Sequence, residues 1–166
     1  MSRKHSSLEL DKIYVIGNGR ISDYLFGLGM RPFSSFSGVQ AVICTEFAEQ
    51  RESIPSSFRA VADLSLACTN HNIPLIFVSN DLVFGDGGMF SEGQKKDPQT
   101  IRGLEMLAAE AIIRADGHKT IRVQIGQVPV GIFAYLKMYK RMPQTLHLGY
   151  DDRLSVHKAR ELGVYD

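Results

Sequence analysis

Residues 12–22 read KIYVIGNGRIS, and their pattern indicates the fold class. The apolar run Lys12–Ile16 predicts a short strand. It leads directly into a turn that contains Gly17 and Gly19, and a helix that ends near Leu28 is predicted to follow. A strand, a glycine-rich turn and a helix in this order are typical of the first unit of a Rossmann-like domain.

The same alternation of short apolar runs and longer helical stretches continues along the chain. The further predicted strands are Ala41–Cys44, Leu75–Val78, Thr120–Ile125 and Leu146–Leu148. The further predicted helices are Ser56–Asn70, Gln99–Ala115 and Ile132–Arg141. This alternation indicates a parallel sheet covered by helices. We predict a flexible N-terminus (1–11) and one α/β domain (12–166), a reduced doubly wound Rossmann-like parallel sheet of four to five strands with helices on both faces.

Apolar spacing assigns a buried face to the two longest helices, and the segments between elements look exposed. In the first helix the predicted face is Phe58, Val61, Leu64, Ser65 and Cys68. In the second it is Ile101, Leu104, Ala108, Ala111, Ile112 and Ala115. The stretch RPFSSFSG (31–38) is predicted to be a loop, and FAEQRESIPSS (47–57) an exposed connection.

Composition narrows the class of protein. The chain has 166 residues and a net charge of +1, so no strong field recruits nucleic acid or an anionic membrane. Cys44 and Cys68 lie in apolar stretches and are predicted to be buried, and the five histidines lack the spacing of metal ligands, so no metal is expected. The polar N-terminus has no signal-peptide core, which predicts a cytoplasmic protein without membrane spans.

The glycine turn is a candidate phosphate-binding loop. Gly17 would form the tight turn, Gly19 would let the backbone approach a pyrophosphate, and Ser22 takes the place of a third glycine, with Arg20 between them. The alternative is a strand-to-helix turn that merely needs glycine. No acidic residue for a ribose follows at the usual distance, and the chain skips a strand–helix unit there. Arg31 is either a contact for a 2′-phosphate or, as we expect, a surface residue.

Three later stretches carry a resemblance to a known family. They read NIPLIFVSNDLVFGDGG (72–88), DPQTIRGLEMLAAEAIIRA (97–115) and TIRVQIGQV (120–128). They resemble the dTDP-4-dehydrorhamnose reductase family, which are extended short-chain dehydrogenases with a nucleotide-sugar substrate. The residues in register with that pattern are Ser79, Asp81, Val83, Phe84, Gly85, Pro98, Gly103, Leu107, Glu110 and Arg122. The chain thus resembles a shortened, degenerate member of the family.

The resemblance implies a Rossmann scaffold and an NADP(H) cofactor, but the catalytic positions differ. The family's tyrosine, which donates a proton, falls at Arg102, and its lysine falls four residues later at Met106. Its polar Ser/Thr position falls at Asn80, beside Ser79. Arginine stays protonated at any working pH, so no catalytic set is intact. Arg102 either clamps a phosphate or carboxylate or, as we expect, is a solvated first-turn arginine.

Three functions are consistent with this sequence. We favour a non-catalytic binding, regulatory or structural subunit without a retained cofactor, which self-associates or joins a larger assembly because a shortened sheet exposes an edge. The second is an NADPH-dependent reductase or epimerase with altered catalytic residues. The third is a module that binds a nucleotide, nucleotide sugar or sugar phosphate without chemistry.

Overall fold

The computed structural model describes residues 8–85, 96–126 and 131–148. Within these residues six parallel strands form one sheet in the order β2-β1-β3-β4-β5-β6. The strands are β1 (Ile13–Ile16), β2 (Arg31–Pro32), β3 (Ala41–Cys44), β4 (Leu75–Asn80), β5 (Lys119–Val123) and β6 (Thr145–His147). The helices are α1 (Arg20–Gly27), α2 (Ser57–Asn70), α3 (Ile101–Ala115) and α4 (Ile132–Lys137). Short 3-10 helices cover Leu10–Lys12, Asp81–Val83 and Tyr139–Arg141.

The fold class is confirmed, and the sheet has one strand more than predicted. The extra strand is β2, which consists of two residues at the start of the segment predicted to be a loop. A full doubly wound sheet has the order 3-2-1-4-5-6. Here the chain runs from β2 to β3 through residues 33–40 without a helix, so the unit that would lie beyond β2 is missing.

Helices cover both faces of the sheet, as predicted. One core lies between the sheet and α1 and α4, and includes Ile13, Val15, Leu25, Ile76 and Tyr135. The other lies between the sheet and α2 and α3, and includes Val42, Phe77, Val61, Met106 and Ile113. The alternation of side chains along each buried strand supplies both cores.

The predicted buried face of α3 is wrong. Its buried residues are Arg102, Gly103, Met106, Ala109, Glu110 and Ile113. Ile101 is 68% exposed and Leu104 is 56% exposed, and in α2 the predicted core residue Phe58 is 48% exposed. α3 carries two apolar stripes, and spacing alone does not say which one faces the sheet.

Two close contacts fix the rotation of α3. Gly103 faces the backbone, since a Cβ there would lie 2.5 Å from the carbonyl oxygen of Leu82. On the same side Glu110 accepts three charge-assisted hydrogen bonds from Arg122 of β5. Nη2 donates to Oε1 at 2.7 Å, and Nε donates to Oε2 at 3.0 Å and to Oε1 at 3.2 Å. The Glu110 side chain is fully buried, so this pair holds α3 against β5.

The described part of the N-terminal segment is packed. Leu8 and Leu10 contact the core beneath α1 and α4, and Glu9 and Gln40 exchange two hydrogen bonds of 2.8 and 2.9 Å. Residues 8–11 therefore belong to the domain. The remainder of the predicted flexible segment, 1–7, and the predicted C-terminal part of the domain, 149–166, lie outside the described residues.

Cys44 and Cys68 are free and buried, as predicted. Burial raises the pKa of the Cys44 thiol to about 12 and that of Cys68 to about 11, so neither forms a reactive thiolate near neutral pH. Among the described helices, none combines the length and the apolar character that crossing a membrane requires.

Candidate functional site

The candidate site lies at the carboxyl ends of the strands, where β1 and β3 are neighbours. The chain leaves β1 toward β2 on one side and resumes with β3 on the other, and open α/β sheets bind ligands at such a switch point. The glycine turn after β1 and the residues after β3 flank it. We call residues 45–50, TEFAEQ, the β3 loop.

The β3 loop fills the space above the glycine turn. A Cβ on Gly17 would collide with the hydroxyl of Thr45, and one on Gly19 would collide with the carboxylate of Glu49. The short, buried Thr45 side chain leaves no room for a Cβ on Gly17, and a side chain at position 19 would displace the Glu49 carboxylate. Ser22 is buried, and its hydroxyl accepts a hydrogen bond from the Gly19 amide at 2.9 Å, which closes the start of α1.

The two charged groups beside the turn are bound within the chain. One carboxylate oxygen of Glu49 accepts a hydrogen bond from the amide of Ile21 at 3.3 Å, in the first turn of α1. Arg20 donates from Nη2 to the carbonyl oxygen of Gly126, after β5, at 2.9 Å. Arg31, in contrast, is exposed at the surface in β2, and its choice between surface residue and phosphate contact stays a prediction.

Ser79 and Asn80 end β4 and are both fully buried. The Asn80 amide donates to the carbonyl oxygen of Ala48 at 3.1 Å, and its oxygen accepts from the Leu82 amide at 3.1 Å. The hydroxyl of Ser79 has no hydrogen-bond partner among the described residues. Asn80 therefore anchors the β3 loop and caps the 3-10 turn that follows β4.

Arg102 is the second anchor of the β3 loop. It is 1% exposed, and it donates from Nη2 to the carbonyl oxygen of Phe47 at 2.7 Å and from Nε to that of Gln50 at 3.0 Å. Nη1 donates to Ser57 at 3.3 Å and to Glu105 at 2.9 Å. The expectation of a solvated arginine is wrong, and the guanidinium is not available to clamp a ligand either.

Glu105 and Met106 complete the surroundings of Arg102. Burial raises the pKa of Glu105, but hydrogen bonds from Ser53, Ile54 and Arg102 outweigh it, and the net pKa is lowered. Met106 is 1% exposed in the core under α2 and α3. It lies on the buried face of α3 with Arg102, as a four-residue spacing requires.

The sequence interpretation missed the β3 loop. Within the predicted exposed connection, Phe47 is 7% exposed, Ala48 is fully buried and Glu49 is half-buried. The signal was the apolar pair Phe47–Ala48, which begins three residues after the end of a buried strand. The neighbouring charged residues, Glu46 and Glu49, favoured the prediction of an exposed connection. The partner of the Glu49 carboxylate, the amide of Ile21, lies elsewhere in the chain and is not visible in the local sequence.

No metal site is apparent. Across residues 8–85, 96–126 and 131–148, no three His, Cys, Asp or Glu side chains are grouped to hold a metal ion.

Replacing Arg102 with methionine should destabilise the fold by about 3 kcal/mol, because buried carbonyl groups and Glu105 lose their partner. Urea unfolding monitored by circular dichroism measures the change. Arg59→Met is the matched control, because Arg59 is exposed and forms only a long surface ion pair with Asp63, at 3.9 Å. This substitution should leave the urea midpoint of unfolding unchanged. An Arg102→Met protein as stable as the control would contradict the anchoring role.

Solved structures with the same fold are known. A hypothetical dTDP-4-dehydrorhamnose reductase from Sulfolobus tokodaii aligns with a TM-score of 0.62 at 15% identity, over 90% of this chain and 81% of that one. The enzyme WbmG of Bordetella bronchiseptica, solved with NAD and UDP, aligns at 0.56 and 10% identity, over 92% and 78%. The dTDP-4-dehydrorhamnose reductase of Bacillus anthracis, solved with NADP, aligns at 0.50 and 15% identity, over 91% and 70%.

These likenesses show the shared fold and the shorter length of this chain. It spans 81%, 78% and 70% of the length of these three structures. No curated protein matches it by sequence. The family of the RmlD substrate binding domain matches residues 40–130, which is more than half of the chain. The matched region contains all three stretches that carry the resemblance, 72–88, 97–115 and 120–128. The chain therefore belongs to the RmlD substrate binding domain family.

Proposed function

We propose that this chain is a non-catalytic Rossmann-scaffold protein, related to the nucleotide-sugar reductases, that serves as a binding, regulatory or structural subunit. One observation carries the proposal. The positions of the proton-donating tyrosine and its lysine are taken by Arg102 and Met106, and both side chains are 1% exposed and packed within the chain.

Reduction of a carbonyl group needs a proton donor close to the carbonyl oxygen. Arg102 does not release a proton at a working pH, and its N–H groups are bound to the β3 loop. The side-chain amide of Asn80 donates to the carbonyl oxygen of Ala48, and the Met106 side chain has no acidic proton. These contacts support a protein that kept the reductase scaffold without the reductase chemistry.

The residues present do not fit a nicotinamide dinucleotide. Glu49 places a carboxylate at the first turn of α1, where the pyrophosphate of such a cofactor would lie. Met106 offers no charge or hydrogen bond to a ribose. For this reason no step of the proposed function involves the cofactors present in the Bordetella and Bacillus structures.

The chain should therefore not consume NADPH in the presence of dTDP-4-dehydrorhamnose, because the residues that the structure describes at the family's catalytic positions offer no proton donor and Glu49 fills the phosphate position of the glycine turn. Loss of NADPH absorbance measures this, with the Bacillus anthracis reductase assayed in parallel as the active control. Protein-dependent, saturable oxidation of NADPH would refute the proposal. Saturable binding of dTDP without turnover would instead support the nucleotide-binding module.

The outer faces of α2 and α3 are the surface on which we propose that the subunit assembles with a second copy. α3 exposes Ile101 and Leu104, and the stripe continues through Ala108, Ala111 and Ala115 with the alternating three- and four-residue spacing of a helix-packing seam. The neighbouring helix α2 adds Phe58, Ala62 and Leu66 at four-residue steps. α2 and α3 pack side by side, so the two stripes form one face. A symmetric dimer would bury this face against itself.

A Leu104→Lys substitution should shift the protein from dimer to monomer, because it places a charge in the centre of the proposed interface. Sedimentation velocity over a range of micromolar concentrations measures the mass. Gly27→Lys is the control, since it adds the same charge at an exposed position of α1, on the opposite face of the sheet, and should leave the dimer intact. A wild-type protein that stays monomeric throughout would overturn the dimer.

A further inference from the structure

We infer that Glu49 determines the ligand selectivity of the glycine turn, and that its carboxylate occupies the anion position at the start of α1 and excludes phosphate groups. The inference rests on the proposed function and deepens it, since it gives the physical reason why the scaffold would not take up a dinucleotide.

The start of α1 is a suitable position for one anion. Gly19 precedes the helix, and the first amides of a helix have no partner within it and carry a partial positive charge. Ser22 satisfies the Gly19 amide at 2.9 Å, and the Glu49 carboxylate takes the Ile21 amide at 3.3 Å. The carboxylate also covers Gly19 so closely that a Cβ there would collide with it. A phosphate would have to displace this carboxylate or accept its negative charge at contact distance.

Glu49 is held in this position from both sides of the β3 loop. On one side Arg102 binds the carbonyl oxygen of Phe47 and Asn80 binds that of Ala48, at 2.7 and 3.1 Å. On the other side Arg102 binds the carbonyl oxygen of Gln50 at 3.0 Å. The backbone of Glu49 therefore lies between anchored residues. Because its backbone is held, the Glu49 side chain stays within reach of the start of α1.

Arg102 and Asn80 thus account both for the missing catalytic groups and for the filled phosphate position. Arg102 takes the place of the catalytic tyrosine and also fixes the loop that carries Glu49. Asn80, at the family's Ser/Thr position, is the other anchor of the loop. The positions that carry reductase chemistry in the family pattern hold, in this chain, the segment that fills the cofactor side of the cleft.

Removing the carboxylate should open the turn to phosphate. Calorimetric titration with inorganic pyrophosphate and with NADPH should show no saturable binding to the wild-type chain. Glu49→Ala, which removes both charge and bulk, should bind both probes saturably, with an affinity at least about tenfold above the weakest that the wild-type titration could have detected. Glu49→Gln, which removes the charge alone, should show a smaller gain for the same probes.

Glu46→Ala is the matched control. Glu46 lies in the same loop, is exposed, and its loss changes the net charge by the same amount. It should therefore bind pyrophosphate and NADPH no better than wild type. Circular dichroism establishes that each variant is folded, and if Glu49→Ala is not, the Glu49→Gln titration decides the question.

Two results would overturn the inference. One is wild-type binding of pyrophosphate or NADPH as tight as that of Glu49→Ala, and the other is a folded Glu49 variant that binds no better than wild type. Either leaves the non-catalytic function standing if NADPH is not consumed. Conversely, NADPH oxidation by Glu49→Ala in the presence of dTDP-4-dehydrorhamnose would contradict the non-catalytic function and support the role of Glu49.

Discussion

The buried guanidinium of Arg102 is the constraint on which the carboxyl edge of this sheet depends. A cation that is 1% exposed must have its donors paired, and the carbonyl groups of Phe47 and Gln50 provide the pairing together with Ser57 and Glu105. The β3 loop is folded inward as a result. That conformation puts Thr45 against the glycine turn and the Glu49 carboxylate at the start of α1.

The residues that match the family pattern have structural roles in this chain. Gly103 lets α3 lie against the Leu82 carbonyl oxygen, since a Cβ at this position would be only 2.5 Å from that oxygen. The Glu110–Arg122 pair holds α3 on β5. The positions that depart from the pattern, Arg102 and Met106, are those where the family's chemistry would lie. A scaffold can thus persist while its site is rebuilt, because packing and catalysis depend on different side chains of one helix.

The scaffold could be predicted from the sequence, but the closed cleft, in which the β3 loop covers the glycine turn, could not. Buried strands such as Ala41–Cys44 are apolar on both faces and bounded by turn residues, so they were found with the helices that follow them. The buried face of α3 was missed because its second apolar stripe, with Ile101 and Leu104, has equally good helical spacing. The inward path of the β3 loop was missed because its bonds join residues about 50 positions apart, Arg102 to Phe47 and Gln50, and no local pattern reports such contacts.

The most direct test of the closed cleft is amide hydrogen exchange of the β3 loop with and without NADPH. The amides of Thr45 and Ala48 donate to the carbonyl oxygens of Ile16 and Thr45 at 2.8 and 3.1 Å, so they should exchange slowly in the free protein. NADPH at millimolar concentration should leave their rates and those of residues 17–22 unchanged. Fast exchange in the free protein that slows in both segments when NADPH is added would show an open cofactor cleft and contradict the account.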